Sequence, residues 1–311
     1  MDKKKRKHRI EYLLTRGAAR LVQNLSPQSA VRAGRILGSV AYHIIPLRRD
    51  VAMNNLRQSF SQYSERELRG ILRRTYQHFG QTFMEFMRTP VRSEQEMRDR
   101  VVMKNPQVLE DALSLEKGAV LMTGHFGNWE IMGAAIATLY TPLAVLAKAQ
   151  RNRAVDKMIN DYRSAAHIET VPLGLAVRGV LKALRQGKAM ALLADQNAKK
   201  DSIFVPFLGR KAATAPGPAL FALKTRAPVV FGACTLRKDG RYSVVYEQLK
   251  TDDIQGVSDK NIRILTNRHV QALERYIRRY PDHWFWMHKR WRTRPPEEKE
   301  QISTPILPAE S

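Results

Sequence analysis

The sequence predicts an α/β fold in which a sheet is flanked by helices and preceded by a helical N-terminal region. Residues 1 to about 100 have a mostly helical pattern. From about 101 to 293, short β-rich runs alternate with helical ones, which is typical of an α/β sheet. The chain has 311 residues, 43% of them hydrophobic, enough for a sizeable core. We therefore expect a helical region over 1–100, an α/β domain over 101–293 and a mobile, Pro- and Glu-rich tail over 294–311.

The first predicted helix is basic and amphipathic. Its apolar positions recur at helical spacing: Ile10, Leu13, Leu14, Ala18, Leu21, Val22 and Leu25. Such a face can lie in an anionic membrane interface or pack on the protein's own core, and both interpretations stay open. No secretory signal is predicted, because Glu11, Arg16 and Arg20 interrupt the apolar stretch. The next apolar stretch, residues 36–47, is short for a membrane span.

The helices and strands that follow are predicted from runs of apolar residues and from the residues that interrupt helices and strands. Ser64 and Glu67 mark a helix start in the N-terminal region. Strands are expected at 118–122, 142–147, 168–171, 189–194, 229–236 and 242–246, and helices near 152–166, 177–186 and 259–280. A turn at 238–240 is expected to join the last two strands as a hairpin.

A histidine and a carboxylate stand five positions apart at a strand-to-helix junction. His125 follows the predicted strand 118–122, and Asn128 is a good N-cap for a helix whose first turn contains Glu130. Histidine is the side chain suited to deprotonating a hydroxyl near neutral pH, and a neighbouring carboxylate would stabilise the imidazolium. The sequence thus predicts acyl transfer to a hydroxyl. The alternative is a satisfied loop histidine beside an ordinary first-turn acid.

Asp195 is the second candidate acid. It follows the apolar strand 189–194, so it should lie on the same rim as His125 if the two strands are parallel. There it could orient the imidazole, alone or together with Glu130. The alternative is an aspartate that caps the next turn.

The basic composition restricts the partners. With 53 Lys and Arg against 29 Asp and Glu, the net charge is +24, which attracts nucleic acid, anionic lipid, phosphorylated glycolipid or an acidic carrier protein. A nucleic-acid-binding protein is disfavoured, because neither a helix-turn-helix nor an aromatic ribonucleoprotein motif is found. Cys234 is expected to be a buried apolar residue rather than a nucleophile. No metal or cofactor is predicted, since His283 and His288 lack zinc-ligand spacing.

The chain contains the string Gly-His-Phe-Gly-Asn-Trp-Glu from Gly124 to Glu130 and several further short motifs. These are Arg48-Arg49 with residues 55–60, Asn152 with Asp156 and Arg163, Asp195-Gln196, residues 206–209 with Thr214 and Gly217, and the Trp-rich segment 284–291. Over residues 12–292 the chain resembles the late (secondary) lipid A biosynthesis acyltransferases of Gram-negative bacteria, relatives of glycerol-3-phosphate acyltransferases and mycobacterial mannoside acyltransferases.

The resemblance implies a glycerol-3-phosphate acyltransferase-like fold at the cytoplasmic face of the inner membrane. It implies acyl-acyl carrier protein as donor and a Kdo-bearing lipid A precursor as glycolipid acceptor. A lysophospholipid, ornithine lipid or mannoside acceptor stays open as the alternative. Catalytic roles are expected for His125, Glu130 and Asp195, and substrate-binding roles for Asn128, Lys148, Asn152, Arg163 and Gln196.

The sequence also allows other interpretations of Lys148, Arg163 and the Trp-rich segment. The family often has arginine where Lys148 stands, so a point charge replaces a bidentate fork for holding a phosphate or an oxyanion. Arg163 could instead be a solvated surface charge. The segment with Trp284, Trp286 and Trp291 suits a membrane-facing lip or a stacking surface, whereas packing on the sheet is expected for at least two of the three.

Overall fold

The computed structural model describes residues 3–44, 48–199 and 201–297. The N-terminal part is helical, as predicted. Its helices are α1 (Lys3–Gln23), α2 (Pro27–Ile44), α3 (Arg49–Ser59), α4 (Glu65–Met87) and α5 (Glu94–Arg100). Helix α4 begins at the predicted place: the Ser64 amide donates to the Glu67 carboxylate at 2.8 Å, and the Ser64 hydroxyl accepts from the Glu67 amide at 3.4 Å.

Helices α2 and α4 pack with their backbones almost in contact. Glycines on both helices make this possible, because a Cβ on Gly38 would lie 2.2 Å from the carbonyl oxygen of Tyr76. A Cβ on Gly80 would lie equally close, 2.2 Å, to the carbonyl oxygen of Gly34. Substitution by alanine at either position would force the two helices apart.

The α/β part begins at residue 101 and alternates strands and helices. Its strands are β1 (Val101–Met103), β2 (Ala119–Thr123), β3 (Leu143–Ala147), β4 (Ile168–Pro172), β5 (Ala189–Leu193), β6 (Ile203–Phe207), β7 (Arg210–Thr214), β8 (Val229–Leu236) and β9 (Tyr242–Gln248). Its helices are α6 (Gln107–Ser114), α7 (Trp129–Leu139), α8 (Arg153–Ala165), α9 (Ala176–Arg185), α10 (Gly217–Thr225) and α11 (Asp259–Arg279), with short 3₁₀ helices at Thr89–Val91, Leu173–Leu175 and Pro281–His283.

Seven strands form one mixed sheet in the order β1-β9-β8-β2-β5-β3-β4. All neighbouring pairs are parallel except the β8–β9 hairpin. The predicted α/β fold is therefore confirmed, as are the hairpin and the long helix near 259–280. Strands β6 and β7 form a separate antiparallel hairpin.

Strand β1 and the β6–β7 hairpin were not predicted. Strand β1 has only three residues, too few for a periodic signal. Strand β6 contains Pro206, which demotes a strand pattern, and β7 opens with two charged residues. The turn between them, Leu208-Gly209, has φ values of 49° and 80°, and such a pair of positive angles is typical of a tight hairpin turn.

The helical and α/β parts share one core. Leu56, Phe60 and Leu72 from the N-terminal helices belong to the same buried cluster as Leu192 of the sheet and Trp286. The change from helical to α/β structure falls between Arg100 and Val101. Of the tail expected to be mobile, residues 298–311 lie outside the described residues.

Helix α1 packs through one stripe and exposes another. Ala19 and Val22 are buried against a small cluster that includes Met87. A second stripe, on another side of the helix, is exposed, with Leu14 at 70% and Leu21 at 72%. Core packing thus accounts for part of the predicted apolar face. Within the described residues, every helix is too short or too polar to cross a membrane.

Candidate active site

The two predicted site strands are neighbours at the centre of the sheet. Strands β2 and β5 are parallel, and Thr123 is aligned with Leu193. The residues that follow them, His125 and Asp195, therefore lie on the same rim, as the sequence predicted for parallel strands.

Asp195 contacts His125 directly. Its Oδ1 lies 2.8 Å from His125 Nδ1, while its Oδ2 accepts from the His125 backbone amide at 2.8 Å and from the Trp284 indole Nε1 at 2.9 Å. The carboxylate is 2% exposed. Burial alone would raise the pKa of Asp195, but the contacts with His125 and Trp284 outweigh it and hold that pKa well below its usual range. Asp195 is thus an ionised, fully hydrogen-bonded group.

The arrangement fixes the protonation of the His125 ring. A carboxylate accepts hydrogen bonds, so Nδ1 carries a hydrogen and Nε2 keeps its lone pair when the ring is neutral. Burial lowers the pKa of His125, but the charge of Asp195 and its hydrogen bond more than offset this and raise the pKa above 6.5. A neutral ring in this arrangement can therefore accept a proton at Nε2.

Two glycines let the loop carry His125 into this position. Gly127 has a φ of 59°, and a Cβ there would lie 1.5 Å from the carbonyl oxygen of Cys234. A Cβ on Gly124 would lie 2.8 Å from Leu273 and 3.1 Å from the Asp195 carboxyl carbon. A side chain would therefore collide with Cys234 at Gly127 and with Leu273 and Asp195 at Gly124, and either collision would displace the loop.

Glu130 has a different partner from the one expected. The sequence suggested that it could reach back to His125, but its carboxylate pairs with Arg163, with Oε1 at 2.5 Å from Nη2 and Oε2 at 3.2 Å from Nε. Trp129 Nε1 donates to the same Oε1 at 3.3 Å. Both members of the ion pair are mostly buried. Arg163 is therefore not a solvated surface charge, and Glu130 influences His125 through its field rather than by contact.

Asn128 and Asn152 are helix caps. Asn128 accepts from the Ile131 amide at 3.0 Å and donates to Glu85 at 3.0 Å, with 1% exposure. Asn152 accepts from the Ala154 amide and donates to Glu11 at 3.0 Å, which ties α8 to α1. Neither lines the cavity described below, so direct substrate contact at these two positions is not supported.

A cavity of about 770 Å³ opens beside His125. Polar and charged groups surround its mouth: His125, Trp129, Glu130, Lys148, Arg163 and Gln196. The amide nitrogen of Gln196 lies 3.4 Å from His125 Nε2. Three of the predicted substrate-binding residues, Lys148, Arg163 and Gln196, therefore line the same cavity as His125.

From His125 the cavity extends along the sheet between apolar side chains. On the α7 side it is lined by Leu121, Met132, Leu143 and Ile168, all buried. Gly133 also lines this side, and a Cβ there would lie 3.4 Å from both Leu143 and Ile168. On the other side of the sheet the lining includes Leu146, Leu192, Pro218 and Phe221. The cavity therefore offers an apolar chain a place beside His125.

The three tryptophans of the C-terminal segment are all packed inside the protein. Trp284 is 1% exposed, Trp286 0% and Trp291 5%, so the packing interpretation is correct and none faces a membrane. The sequence did not predict that Trp284 donates to Asp195. The two residues are 89 positions apart, and no local pattern links them.

The described part of the chain has neither a cluster of metal ligands nor an accessible thiol. Its His, Cys, Asp and Glu side chains form no group of three or more that could hold a metal ion. Cys234 is buried as expected, and burial raises the pKa of its thiol far above the usual range.

Comparisons with known proteins identify relatives of this chain. Residues 2–293 match the family model described as bacterial lipid A biosynthesis acyltransferase. The lipid A biosynthesis palmitoleoyltransferase of Escherichia coli (strain K12) is 23% identical over 84% of each chain, and the lauroyltransferase of the same strain is 23% identical over 90% of each. The phosphatidylinositol mannoside acyltransferase of Mycolicibacterium smegmatis (strain ATCC 700084 / mc(2)155) is 23% identical over 71% of this chain and 72% of its own.

Proposed function

The chain belongs to the bacterial lipid A biosynthesis acyltransferase family, and from this premise we propose that it transfers a fatty acyl chain from acyl-acyl carrier protein to a hydroxyl of a lipid A precursor. His125 is the general base. The observation that carries this proposal is the His125–Asp195 contact of 2.8 Å at the mouth of an apolar cavity.

The reaction needs one proton transfer in each direction. His125 Nε2 takes the proton of the acceptor hydroxyl as its oxygen attacks the thioester carbonyl. Asp195 accepts a hydrogen bond from Nδ1 and stabilises the imidazolium that forms. When the carbonyl re-forms and the C–S bond breaks, the thiolate takes the proton back from Nε2. No serine or cysteine nucleophile is required.

The groups around the mouth take supporting roles. Lys148 is exposed there and can approach an oxyanion or a phosphate as a point charge. Arg163 is held in place by Glu130, so its fixed positive charge can stabilise negative charge that develops on the carbonyl oxygen. Gln196 lies beside Nε2 and can position the acceptor hydroxyl.

The net charge supports the carrier protein as donor. Acyl carrier proteins are acidic, and a chain at +24 attracts an acidic protein surface from a distance. Lys148 and Arg151, both exposed, stand at the cavity mouth where the carrier must deliver its thioester.

We assign residues 1–100 to a membrane-associating region and residues 101–293 to the catalytic domain, at the cytoplasmic face of the inner membrane. The exposed leucines of α1 support this assignment, since a basic helix with Leu14 and Leu21 uncovered suits an anionic interface.

The second candidate keeps the chemistry and changes the acceptor to another lipid. The similarity to a phosphatidylinositol mannoside acyltransferase favours a mannoside first among these, ahead of a lysophospholipid or an ornithine lipid.

Lipid mass spectrometry of cells lacking the protein tests the acceptor. Lipid A species short by one acyl chain are expected. Expression of the wild-type chain should restore the missing acyl chain, whereas expression of the His125→Ala variant should not. An unchanged lipid A profile together with the loss of another acylated lipid would favour the second candidate.

In the purified enzyme, His125→Ala should lower turnover by roughly 10²–10⁴-fold. A folded variant with wild-type turnover would refute the base.

A further inference from the structure

One segment near the end of the α/β part touches both loops of the candidate active site. We call residues 283–293 the bridging segment. Its Phe285 amide donates to the His125 carbonyl oxygen at 3.1 Å. Its His283 carbonyl oxygen accepts from the Gly127 amide at 2.7 Å. These backbone contacts fix the path of the loop that carries His125.

The bridging segment also holds the loop that follows β5, residues 195–198. His288 Nε2 accepts from the Asn197 backbone amide at 2.9 Å. Thr293 binds the Asn197 side chain: its backbone amide donates to Oδ1 at 2.9 Å, and its hydroxyl accepts from Nδ2 at 3.0 Å. Asn197 is therefore held through both its backbone and its side chain.

Asn197 follows directly after the two residues that face His125. Asp195 contacts the His125 ring, and Gln196 has its side-chain nitrogen 3.4 Å from His125 Nε2. The Trp284 indole holds the Asp195 carboxylate at 2.9 Å. With Asp195 and Asn197 both held, the backbone of Gln196 between them is fixed as well.

His288 supplies a hydrogen-bond acceptor without adding a charge beside the His125–Asp195 pair. Burial lowers the pKa of His288 to about 4, although the charge of Asp195 acts in the opposite direction. The ring is therefore neutral near neutral pH, with a hydrogen on Nδ1 and the lone pair of Nε2 directed at the Asn197 amide.

The bridging segment is itself tied to the helical N-terminal region. The side-chain amide of Asn55, on α3, donates to the carbonyl oxygens of Trp286 and His288, each at 2.9 Å. Asn55 is buried, so water has little access to these hydrogen bonds. The sequence block at residues 55–60, which the acyl-transfer site does not otherwise use, thus fixes the backbone from which the His288 side chain extends.

We propose that His288 is a positioning residue of the acyl-transfer site: it accepts the Asn197 amide and thereby fixes the loop that presents Asp195 and Gln196 to His125. This inference rests on the proposed function, because it assigns His288 to the same site. His288 does not line the acyl cavity, so it acts through the loop and not on the substrate. Precise placement of this kind matters because catalysis depends on distances of the order of 1 Å.

Two amide substitutions that differ by one methylene test the inference. In His288→Gln the side-chain oxygen is as many bonds from Cβ as Nε2, so it can accept from the Asn197 amide. In His288→Asn the oxygen is one bond closer to Cβ and falls short of that amide. Both side chains are uncharged, as His288 is near neutral pH, so the pair differs in the reach of the acceptor and not in charge.

Asn105→Ala is the matched control. Asn105 Oδ1 accepts from the Tyr246 backbone amide at 2.9 Å, the same distance as in the contact under test. Asn105 follows β1, which runs opposite to β2, so it lies at the other edge of the sheet from His125.

His288→Asn should lower kcat about 30-fold and change KM much less, since a displacement of about 1 Å at a reacting group costs roughly 10²-fold. His288→Gln and Asn105→Ala should each stay within about 3-fold of wild type. The inflection of kcat/KM against pH should move to lower pH in His288→Asn, because a displaced Asp195 raises the pKa of His125 less. Equal kcat values in the two His288 variants would refute the inference.

Thermal unfolding and an NMR titration of the His125 ring complete the test without turnover. If His288→Asn unfolds while His288→Gln is folded, the contact serves stability alone and the inference is wrong. The ring of His125, identified by comparison with His125→Ala, should titrate at lower pH in His288→Asn than in wild type. This difference without any acyl transfer by the wild type would overturn the proposed function and leave the role of His288 standing. Acyl transfer by the wild type that is unchanged in His288→Asn would overturn the inference alone.

Discussion

The change Asp195→Asn is the most direct test of the proposed role of His125 as the base. Three donors converge on the Asp195 carboxylate: two N–H groups, from His125 and Trp284, share Oδ2, and His125 Nδ1 faces Oδ1. In an asparagine, the amide oxygen will take the Oδ2 position, since that position receives two donors. The amide nitrogen then faces Nδ1 as a donor, which selects the tautomer with hydrogen on Nε2. That tautomer cannot accept the hydroxyl proton.

The magnitude follows from this geometry. Wrong-tautomer histidine in a serine protease triad lowers kcat by roughly 10⁴-fold, and general-base catalysis is worth roughly 10²–10⁴-fold, so we expect a fall in kcat of about 10³–10⁴-fold with a small change in KM. At about 1.4 kcal/mol per tenfold, this corresponds to about 4–5.5 kcal/mol of lost transition-state stabilisation.

The pH dependence gives a second measurement. A base acts when it is deprotonated, so wild-type kcat/KM should rise as the pH increases. The inflection should lie above pH 6.5, because Asp195 raises the pKa of His125. In Asp195→Asn the burial of the ring remains and the carboxylate is gone, so the inflection should move to lower pH.

Asp161→Asn is the matched control, because Asp161 is exposed on α8 and pairs only with Lys157 among the described residues. Thermal unfolding of both variants checks that they are folded. A folded Asp195→Asn enzyme that keeps more than about a tenth of wild-type kcat, with the wild-type inflection, would refute the role of Asp195 and leave it as a loop cap.

Three further predictions concern the acyl cavity, the membrane and the donor. Gly133→Leu should shorten the preferred acyl chain: a donor whose last two methylenes no longer fit loses about 1.6 kcal/mol, or about 15-fold in kcat/KM, and an unchanged length profile across a donor series would contradict this. Leu14→Asp with Leu21→Asp should move the protein from the membrane to the soluble fraction, as raised salt should in part, and unchanged partitioning would indicate another anchor. Lys148→Glu with Arg151→Glu should raise KM for the acyl-carrier donor much more than for a small thioester, and equal, salt-insensitive use of acyl-coenzyme A and acyl-carrier donors by the wild type would count against the carrier.

The rim of the site could be predicted from the sequence because it follows from the direction of the strands. Two apolar runs, each followed by a polar residue, place His125 and Asp195 at the same edge of the sheet once the strands are parallel. Hydrophobic runs and breakers are local signals, and most elements between residues 118 and 280 follow them.

The contacts of Glu130 with Arg163 and of Asp195 with Trp284 could not be predicted, because no local pattern links these distant parts of the chain. Arg163 is 33 positions from Glu130 and Trp284 is 89 positions from Asp195. Proximity in sequence suggested that Glu130 would support His125. The structure instead uses the first turn of α7 to hold Arg163, because an ion pair between α7 and α8 satisfies both charges in a mostly buried place.

The two carboxylates near His125 therefore differ in what they can do. Glu130 shares its charge with the guanidinium of Arg163, which weakens its field at the imidazole. Asp195 is buried, and among the described residues His125 is the one titratable group that forms an ion pair with it, so its full charge is available when the imidazolium forms. Under the proposed mechanism, a change at Glu130 should consequently act through Arg163 and the cavity mouth, whereas a change at Asp195 should act on the proton transfer. Environment, rather than distance along the chain, separates their roles.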